Sequence, residues 1–464
     1  MLIVLDFQAC QSGSRYRGVG RASKSLMLEM GRQFLDMGVD VICIFNNSFL
    51  ENIPKLQAEV SAVIPSVRFL SFELPLPCAA HSHENAWRQM AARFLREYAI
   101  ANLQPDFVHV PALLPDGWGD DAVASIGELG FHVPVSLTQH DLIPLVMSDI
   151  YMPPGPFHDY YMEKIEYTKK ADLLLAISEY SRREAVQWLG VKDECVVNIS
   201  SAADSMFADV DIAINEKCSI CKTYGLQPDF LLYAPGGFDP RKNLENLFAA
   251  YALLPCEVRA RHQLVIASKI SPAQRTTLEI AIQAVGLRKG EVVLTDYVPD
   301  KDLICLYASC FLYLFPSLHE GFGLPALEAM LCGAPVLASD ASCIPEVIGM
   351  QEALFDPYNV EDMAAKMLHA LTDESFRQSL LDHSKVQPNK FSWESSATVA
   401  VDAILRKHAS LVSNGWKKVS RKALPTCEEM LQMISNRLSD VQPSEADVDA
   451  FRKCYEKNLE ASLI

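Results

Sequence analysis

The sequence predicts two α/β units in tandem, each a parallel sheet covered by helices, and three observations carry that reading. Short apolar runs that fit buried strands alternate with stretches of helical periodicity along most of the chain. The alternation lapses between Ala203 and Lys217, where acids gather and no period is clear, and then resumes. Glycine turns follow the ends of several strands, the edge at which open α/β sheets bind ligands. At 464 residues the chain is too long for one ordinary core. The reading assigns 1–205 to a first domain, 206–395 to a second, and 396–464 to a crossover helix with a helical extension.

In the first half, Leu2 to Phe7 reads as a strand, because the start lacks the basic region and cleavage site of a signal peptide. Gln11 to Arg21 reads as a polar loop, and helical periodicity begins at Ser25. Gly18-Val19-Gly20-Arg21 in that loop partly matches a dinucleotide fingerprint, but Ser23 stands where the third glycine belongs, which disfavours a nicotinamide enzyme. Strand-like runs follow at Val39–Phe45, Phe107–Leu113, Val133–Thr138 and Leu173–Ile177. His140 comes directly after the third of these, at the ligand edge, and Ser178 after the fourth can cap the next helix.

The second half begins with Phe230–Ala234 and the turn Pro235-Gly236-Gly237-Phe238-Asp239-Pro240-Arg241-Lys242-Asn243. Adjacent Arg241 and Lys242 on a glycine turn before a helix make a phosphate clamp, the first a planar fork and the second a mobile point charge. Further strands are expected at His262–Ala267, Val292–Thr295, Phe311–Phe315 and Ala334–Ala338. After Phe315 come two glycines, Gly321 and Gly323, and then Pro325 in the first turn of a helix. Unpaired N–H groups and the positive dipole end make such a helix start an anion site. Glu320 and Glu328 flank it and suit hydroxyls on either side of a diphosphate, as a nucleotide sugar offers with its hexose and ribose.

Glu320 and Glu328, with Gly321-Phe322-Gly323-Leu324-Pro325 between them, resemble the E-x7-E signature of retaining glycosyltransferases of family 4. The run from Tyr297-Val298-Pro299-Asp300 through Ser339-Asp340 and Pro345-Glu346 follows the same pattern. The resemblance implies the GT-B fold, two Rossmann-like domains facing across a cleft. It implies that Arg241 and Lys242 contact the donor diphosphate, that Glu320 holds sugar hydroxyls, that Glu328 binds the ribose, and that His140 meets the sugar or the acceptor. Gly237, the backbone at Val298, and Gly321, Phe322, Gly323 and Leu324 join the donor site. Gly18 and Gly20, with Arg15, Arg17 and Arg21 beside them, would face the diphosphate and acceptor from the first domain. Many family members carry an arginine where Gly237 stands; here Arg241 or an arginine of the first domain would supply that charge.

The resemblance is strongest to bacterial mannosyl- and rhamnosyltransferases of polysaccharide synthesis, notably of O antigens. It implies GDP-mannose or GDP-rhamnose as donor, a lipid-linked glycan as acceptor, no cofactor and no metal. UDP-glucose-type donors stay open, and so does a non-catalytic member that binds nucleotide sugar or glycan and scaffolds other polysaccharide assembly proteins.

A net charge of −17 argues against nucleic acid as a partner. No apolar run approaches the length of about 20 residues that spans a bilayer, and thirteen scattered cysteines suit a reducing compartment, so a cytoplasmic location is expected. Cys218-Ser219-Ile220-Cys221 reads as part of a helix face. Asp209-Val210-Asp211 and Asp447-Val448-Asp449 do not follow a strand in the manner of a metal-dependent sugar site. Lys417, Lys418, Arg421 and Lys422 precede two expected helices, Glu428–Leu438 and Glu445–Ser462. That basic cluster is either a solvated face or a peripheral contact with anionic lipid at the inner face of the cytoplasmic membrane.

Overall fold

A computed structural model describes residues 1–16, 18–114, 118–208, 214–438 and 440–461. Arg17, Asp209-Val210-Asp211 and Ser462, named above, lie outside the described residues. The chain divides into two compact units: 1–177, 181–201 and 393–464 form the first, 178–180 and 202–392 the second. The segment after 392 is thus part of the first unit.

The first unit holds seven parallel strands: β1 (Leu2–Asp6), β2 (Asp40–Asn46), β3 (Arg68–Phe72), β4 (Phe107–Val110), β5 (Val135–Gln139), β6 (Leu173–Ala176) and β7 (Val196–Asn198). Their order is β3-β2-β1-β4-β5-β6-β7. The second unit holds six, β8 (Leu231–Tyr233), β9 (Leu264–Ile266), β10 (Val292–Leu294), β11 (Leu312–Phe315), β12 (Val336–Ser339) and β13 (Leu354–Phe355), in the order β10-β9-β8-β11-β12-β13. Both are doubly wound sheets whose winding reverses once, between β1 and β4 and between β8 and β11. Loops leaving the two strands at such a reversal diverge and open a crevice at the carboxyl edge.

Eight helices matter below: α1 (Gly18–Asp36), α2 (Ala86–Asn102), α3 (Pro156–Lys170), α4 (Ile214–Tyr224), α5 (Leu324–Leu331), α6 (Trp393–Ser413), α7 (Cys427–Arg437) and α8 (Glu445–Ala461). The expected loop to Arg21 is shorter than the sequence suggested, because the helix begins at Gly18. Glycine is costly inside a helix but cheap in its first turn, and Gly20 is buried there with its carbonyl accepting from Cys10 Sγ (3.8 Å). The expected linker also ends early, since α4 starts at Ile214 and carries Cys218 and Cys221 on one helix.

Successive side chains of a strand point to opposite faces. Ile3 and Leu5 accordingly enter one core of the first unit with Met27, Met30 and Phe34, whereas Val4 enters the other with Val108, Trp87 and Phe94. The C-terminal segment covers both. Ala397, Ala400, Val401 and Ile404 of α6 follow the i, i+3, i+4, i+7 spacing of a helix stripe and join the first core. Met430, Ile434 and Phe451 of α7 and α8 are fully buried in the second. Asn458 grips the chain just beyond edge strand β3 with two hydrogen bonds, accepting from Glu73 N–H (2.7 Å) and donating to Glu73 O (3.1 Å). Two of the four basic residues before α7 are held by the first unit. Lys418 pairs with Asp106 (2.8 Å) and Arg421 donates to Asn102 O (3.0 Å). Asp447 pairs with Arg88 (2.9 Å) on the same unit.

Candidate functional site

The two turns that leave β8 and β11, the strands at the reversal of the second sheet, are stapled into one piece. Asn243 adopts a left-handed backbone (φ 59°), which Asn tolerates better than most residues. From there its amide donates to Pro316 O (3.0 Å) and Pro357 O (2.8 Å). Leu318 N–H donates to Arg241 O (2.7 Å), and Arg241 Nη1 to His319 O (2.9 Å).

This brings Glu320 against both cations of the Arg-Lys pair. Its Oε2 lies 2.6 Å from Arg241 Nη1 and its Oε1 2.7 Å from Lys242 Nζ. All three are largely removed from water, Lys242 being 6% exposed and Glu320 9%. Burial alone would raise the Glu320 carboxyl, but Lys242 and Arg241 outweigh it and hold the group down at about 2. Asp239 adds a carboxylate 3.3 Å from Arg241 Nε. Tyr233 OH donates to Lys242 O (3.0 Å), and the Glu320 N–H donates to Ser342 Oγ (3.1 Å). The cations that the sequence placed in a phosphate clamp and the acid it assigned to sugar hydroxyls therefore form one buried ion cluster.

Beside the cluster, α5 begins after Gly323, whose φ of +102° suits glycine and strains any other residue. Gly323→Ala should cost about 1–3 kcal/mol of stability, read from urea unfolding. Gly321 O accepts from Ser178 Oγ (2.8 Å), Phe322 packs edge-on to Phe391 (5.5 Å), and Leu324 opens the helix. Glu328 lies one turn further on, half-buried, with Tyr307 OH 3.3 Å from Oε2. A Cβ at Gly236 or Gly237 would meet nothing within 4 Å, so the turn after β8 has open space beside it. Val298 is half-buried next to Tyr297, which is 65% exposed.

In the first unit, His140 follows β5 at the carboxyl edge of its own sheet. Its Nε2 lies 2.9 Å from Pro111 O, a group that can only accept, so the proton is on Nε2. Burial pushes its pKa down, against the pull of the Pro111 hydrogen bond and Asp141. The ring is therefore neutral near pH 7, with the Nδ1 lone pair left for a hydroxyl donor. Gly18 and Gly20 form the first turn of α1, and Arg15 Nη1 donates to Gln11 O (2.7 Å).

Asn243, Tyr233, Ser342 and Ser317, whose hydroxyl lies 3.3 Å from Tyr233 OH, support the cluster without having been singled out. Asn243 alone carried a signal, an Asn ending a Pro-Arg-Lys turn. Ser342, at φ 54°, carried none.

Residues 24–204 match the model of Glycosyltransferase Family 4, and residues 225–386 that of Glycosyl transferases group 1. Both matches are to glycosyltransferase models, and together they take in most of the chain. Over 446 residues it is 36% identical to the serotype-specific mannosyltransferase WbdA of Escherichia coli, covering 95% of this chain and 52% of that protein. It is 35% identical to the Escherichia coli O-antigen chain mannosyltransferase B over 246 residues, which is 52% of this chain and 63% of the relative. The chain thus spans about half the length of the curated relatives it matches. Among solved structures it resembles HepE from Anabaena in complex with UDP and glucose, with a TM-score of 0.55 and 16% identity over 89% of this chain and 100% of that one. That likeness gives a GT-B fold. The second match contains the whole ion cluster and the turn to Glu328. The first contains His140 but begins after Gly18 and Gly20, and neither reaches α6 to α8.

Proposed function

We propose that the chain transfers a hexose, mannose or rhamnose by preference, from a nucleoside-diphosphate sugar to a growing, lipid-linked polysaccharide, with retention at the anomeric carbon. The observation that carries this reading is the Arg241–Lys242–Glu320 cluster at the reversal of the second sheet, beside the N-terminus of α5. The mannosyltransferase names of the relatives favour GDP-mannose, with GDP-rhamnose next.

When the sugar leaves, the bond from the anomeric carbon to the phosphate oxygen breaks and negative charge builds on the diphosphate. Arg241, Lys242 and the N–H groups before α5 meet that charge, preorganised in a site shielded from water. They supply positive charge without a metal ion. The acceptor oxygen bonds to the anomeric carbon on the face the phosphate leaves, and its proton passes to the departing phosphate. Glu320 holds the two cations in place and accepts from sugar hydroxyls. Glu328 accepts from the ribose, the backbone at Val298 borders the base, and Gly237, Gly321, Phe322, Gly323 and Leu324 let the donor approach the main chain. On the first unit, His140 offers Nδ1 to a hydroxyl. The proposal includes no cofactor and a cytoplasmic setting, where none of the described helices is long and apolar enough to cross the membrane.

Isothermal titration with GDP-, UDP- and dTDP-sugars tests the donor half: a GDP-hexose should bind tightest, and absence of binding by all three classes would overturn it. Glu328→Ala should raise the donor KM by about tenfold or more through a lost charged hydrogen bond and leave kcat within a few-fold. A fall in kcat at unchanged KM would contradict the ribose assignment.

A further inference from the structure

The carboxyl edge of the first sheet carries an aromatic pair that the transfer chemistry leaves unused. β5 and β6 are parallel neighbours, so α3, which joins them, runs back from the carboxyl edge and starts where His140 lies. Phe157 is the second residue of α3 and is 36% exposed. Half-buried Trp118, in the segment after β4, packs edge-on to Phe157 (5.6 Å, 71°) and across Tyr160 (5.4 Å, 31°). Phe157 also lies 6.1 Å from Tyr161, whose phenol is pushed up by burial and by the carboxylate of Asp141, the residue after His140.

Both rings are held in place. Trp118 sits at φ 41°, a left-handed backbone that a bulky residue rarely adopts and that persists only where the surroundings hold it. Its carbonyl accepts from His81 N–H (3.1 Å), Asp120 Oδ1 accepts from Cys78 N–H (2.7 Å), and Asp121 O accepts from Gln8 Nε2 (2.7 Å). Phe157 follows Pro153-Pro154-Gly155-Pro156, whose prolines fix the backbone ahead of the helix. The charge around the rings is one-sided. From Asp141 to Glu163 the chain has four acids and no lysine or arginine. Glu163 pairs with Arg93 and Asp141 accepts from Ile143 N–H (3.1 Å), whereas Asp149 and Asp159 are exposed. The nearby cations are withdrawn from the surface: Lys164, 5.4 Å from the Tyr160 ring, and Arg93 are both buried.

We propose that Trp118 and Phe157 form a subsite for a hexose of the acceptor glycan, set back from the end that is extended. An aromatic face carries a negative quadrupole and suits the polarised C–H face of a pyranose. Exposed carboxylates beside it can only accept, which suits a partner rich in hydroxyl donors. The same acids repel an anionic lipid surface, the other partner that exposed aromatic rings serve. A subsite of this kind makes acceptors that already bear several hexoses bind better than a single hexose. The inference rests on the transferase reading above and adds to it which acceptors are preferred.

Calorimetric titration of the intact chain with mannotetraose and with methyl α-mannoside tests the idea without turnover. Mannotetraose should bind about tenfold or more tighter than the monosaccharide. Phe157→Leu, which keeps an apolar side chain but removes the flat face, and Trp118→Leu should each weaken mannotetraose binding by about three- to tenfold, with GDP-mannose binding unchanged. Phe157 is at the surface, so its variant remains informative if Trp118→Leu does not fold. No binding of mannotetraose, equal affinity for the monosaccharide, or unaltered affinity in Phe157→Leu would overturn the proposal. So would sedimentation of the parent with phosphatidylglycerol vesicles that Phe157→Leu abolishes, which would assign the rings to a membrane. GDP-sugar binding is titrated separately: its absence beside intact mannotetraose binding would overturn the donor reading and leave the subsite, and the converse result would do the reverse.

Discussion

Glu320→Gln should lower kcat by roughly 10²- to 10³-fold, the usual loss when a preorganised electrostatic contact is removed. Glutamine keeps the shape but not the charge that holds Arg241 and Lys242 together. Two cations then face each other in a buried site, and breaking such a pair from one side costs about 3–5 kcal/mol. A bound diphosphate restores the balance, so pyrophosphate or GDP should raise the melting temperature more in the variant than in the parent. The parent should also show an acid-dependent loss of stability. Its Glu320 carboxyl sits at about 2 in the folded chain against an ordinary 4.5. A depressed carboxyl stabilises fully above its ordinary value and loses that contribution as pH falls toward the folded one. Unfolding by urea between pH 5 and pH 2, the window in which this component of about 3 kcal/mol disappears, should show it in the parent and not in Glu320→Gln.

Phe451→Ala should destabilise the first unit by about 3–5 kcal/mol, the cost of emptying a fully buried aromatic site. The ring is 0% exposed and packs edge-on to Trp87 (6.1 Å), in the core that also takes Met430 and Ile434. A tail that merely trailed from the protein would tolerate the change, with urea midpoints within experimental error of the parent. The two hydrogen bonds of Asn458 to Glu73 point the same way, because they cover the backbone next to an edge strand that would otherwise offer itself for pairing.

Much of this architecture was legible in the chain, because the strands at the sheet centres are short apolar runs that nothing else explains. β3, β7 and β13 were not. Arg-Phe-Leu-Ser-Phe of β3 lies at an edge with only Leu70 and Phe72 buried, and β7 and β13 have three and two residues, too few to display a period. The start of α1 was hidden by Gly18 and Gly20, which read as loop although a helix end accepts them. The two turns of the ion cluster were legible as separate pieces, a basic pair and an acid flanking glycines. That Lys242 and Glu320 pair, 78 residues apart, follows only from β8 and β11 lying side by side. The helices of the extension were readable too, but the surface that receives Met430, Ile434 and Phe451 is assembled from β-strands and α2 far away in sequence, so no local pattern could announce it.

The most direct measurement is the reaction itself. The chain would be incubated with GDP-mannose and a synthetic lipid-linked mannoside, with release of GDP and the anomeric configuration of the product followed by NMR. GDP release that depends on the acceptor, with the new linkage keeping the α configuration of the donor, is the expected result. Tight binding of the nucleotide sugar with no transfer from GDP-mannose, GDP-rhamnose or any UDP- or dTDP-sugar would contradict the assignment and point to a scaffold.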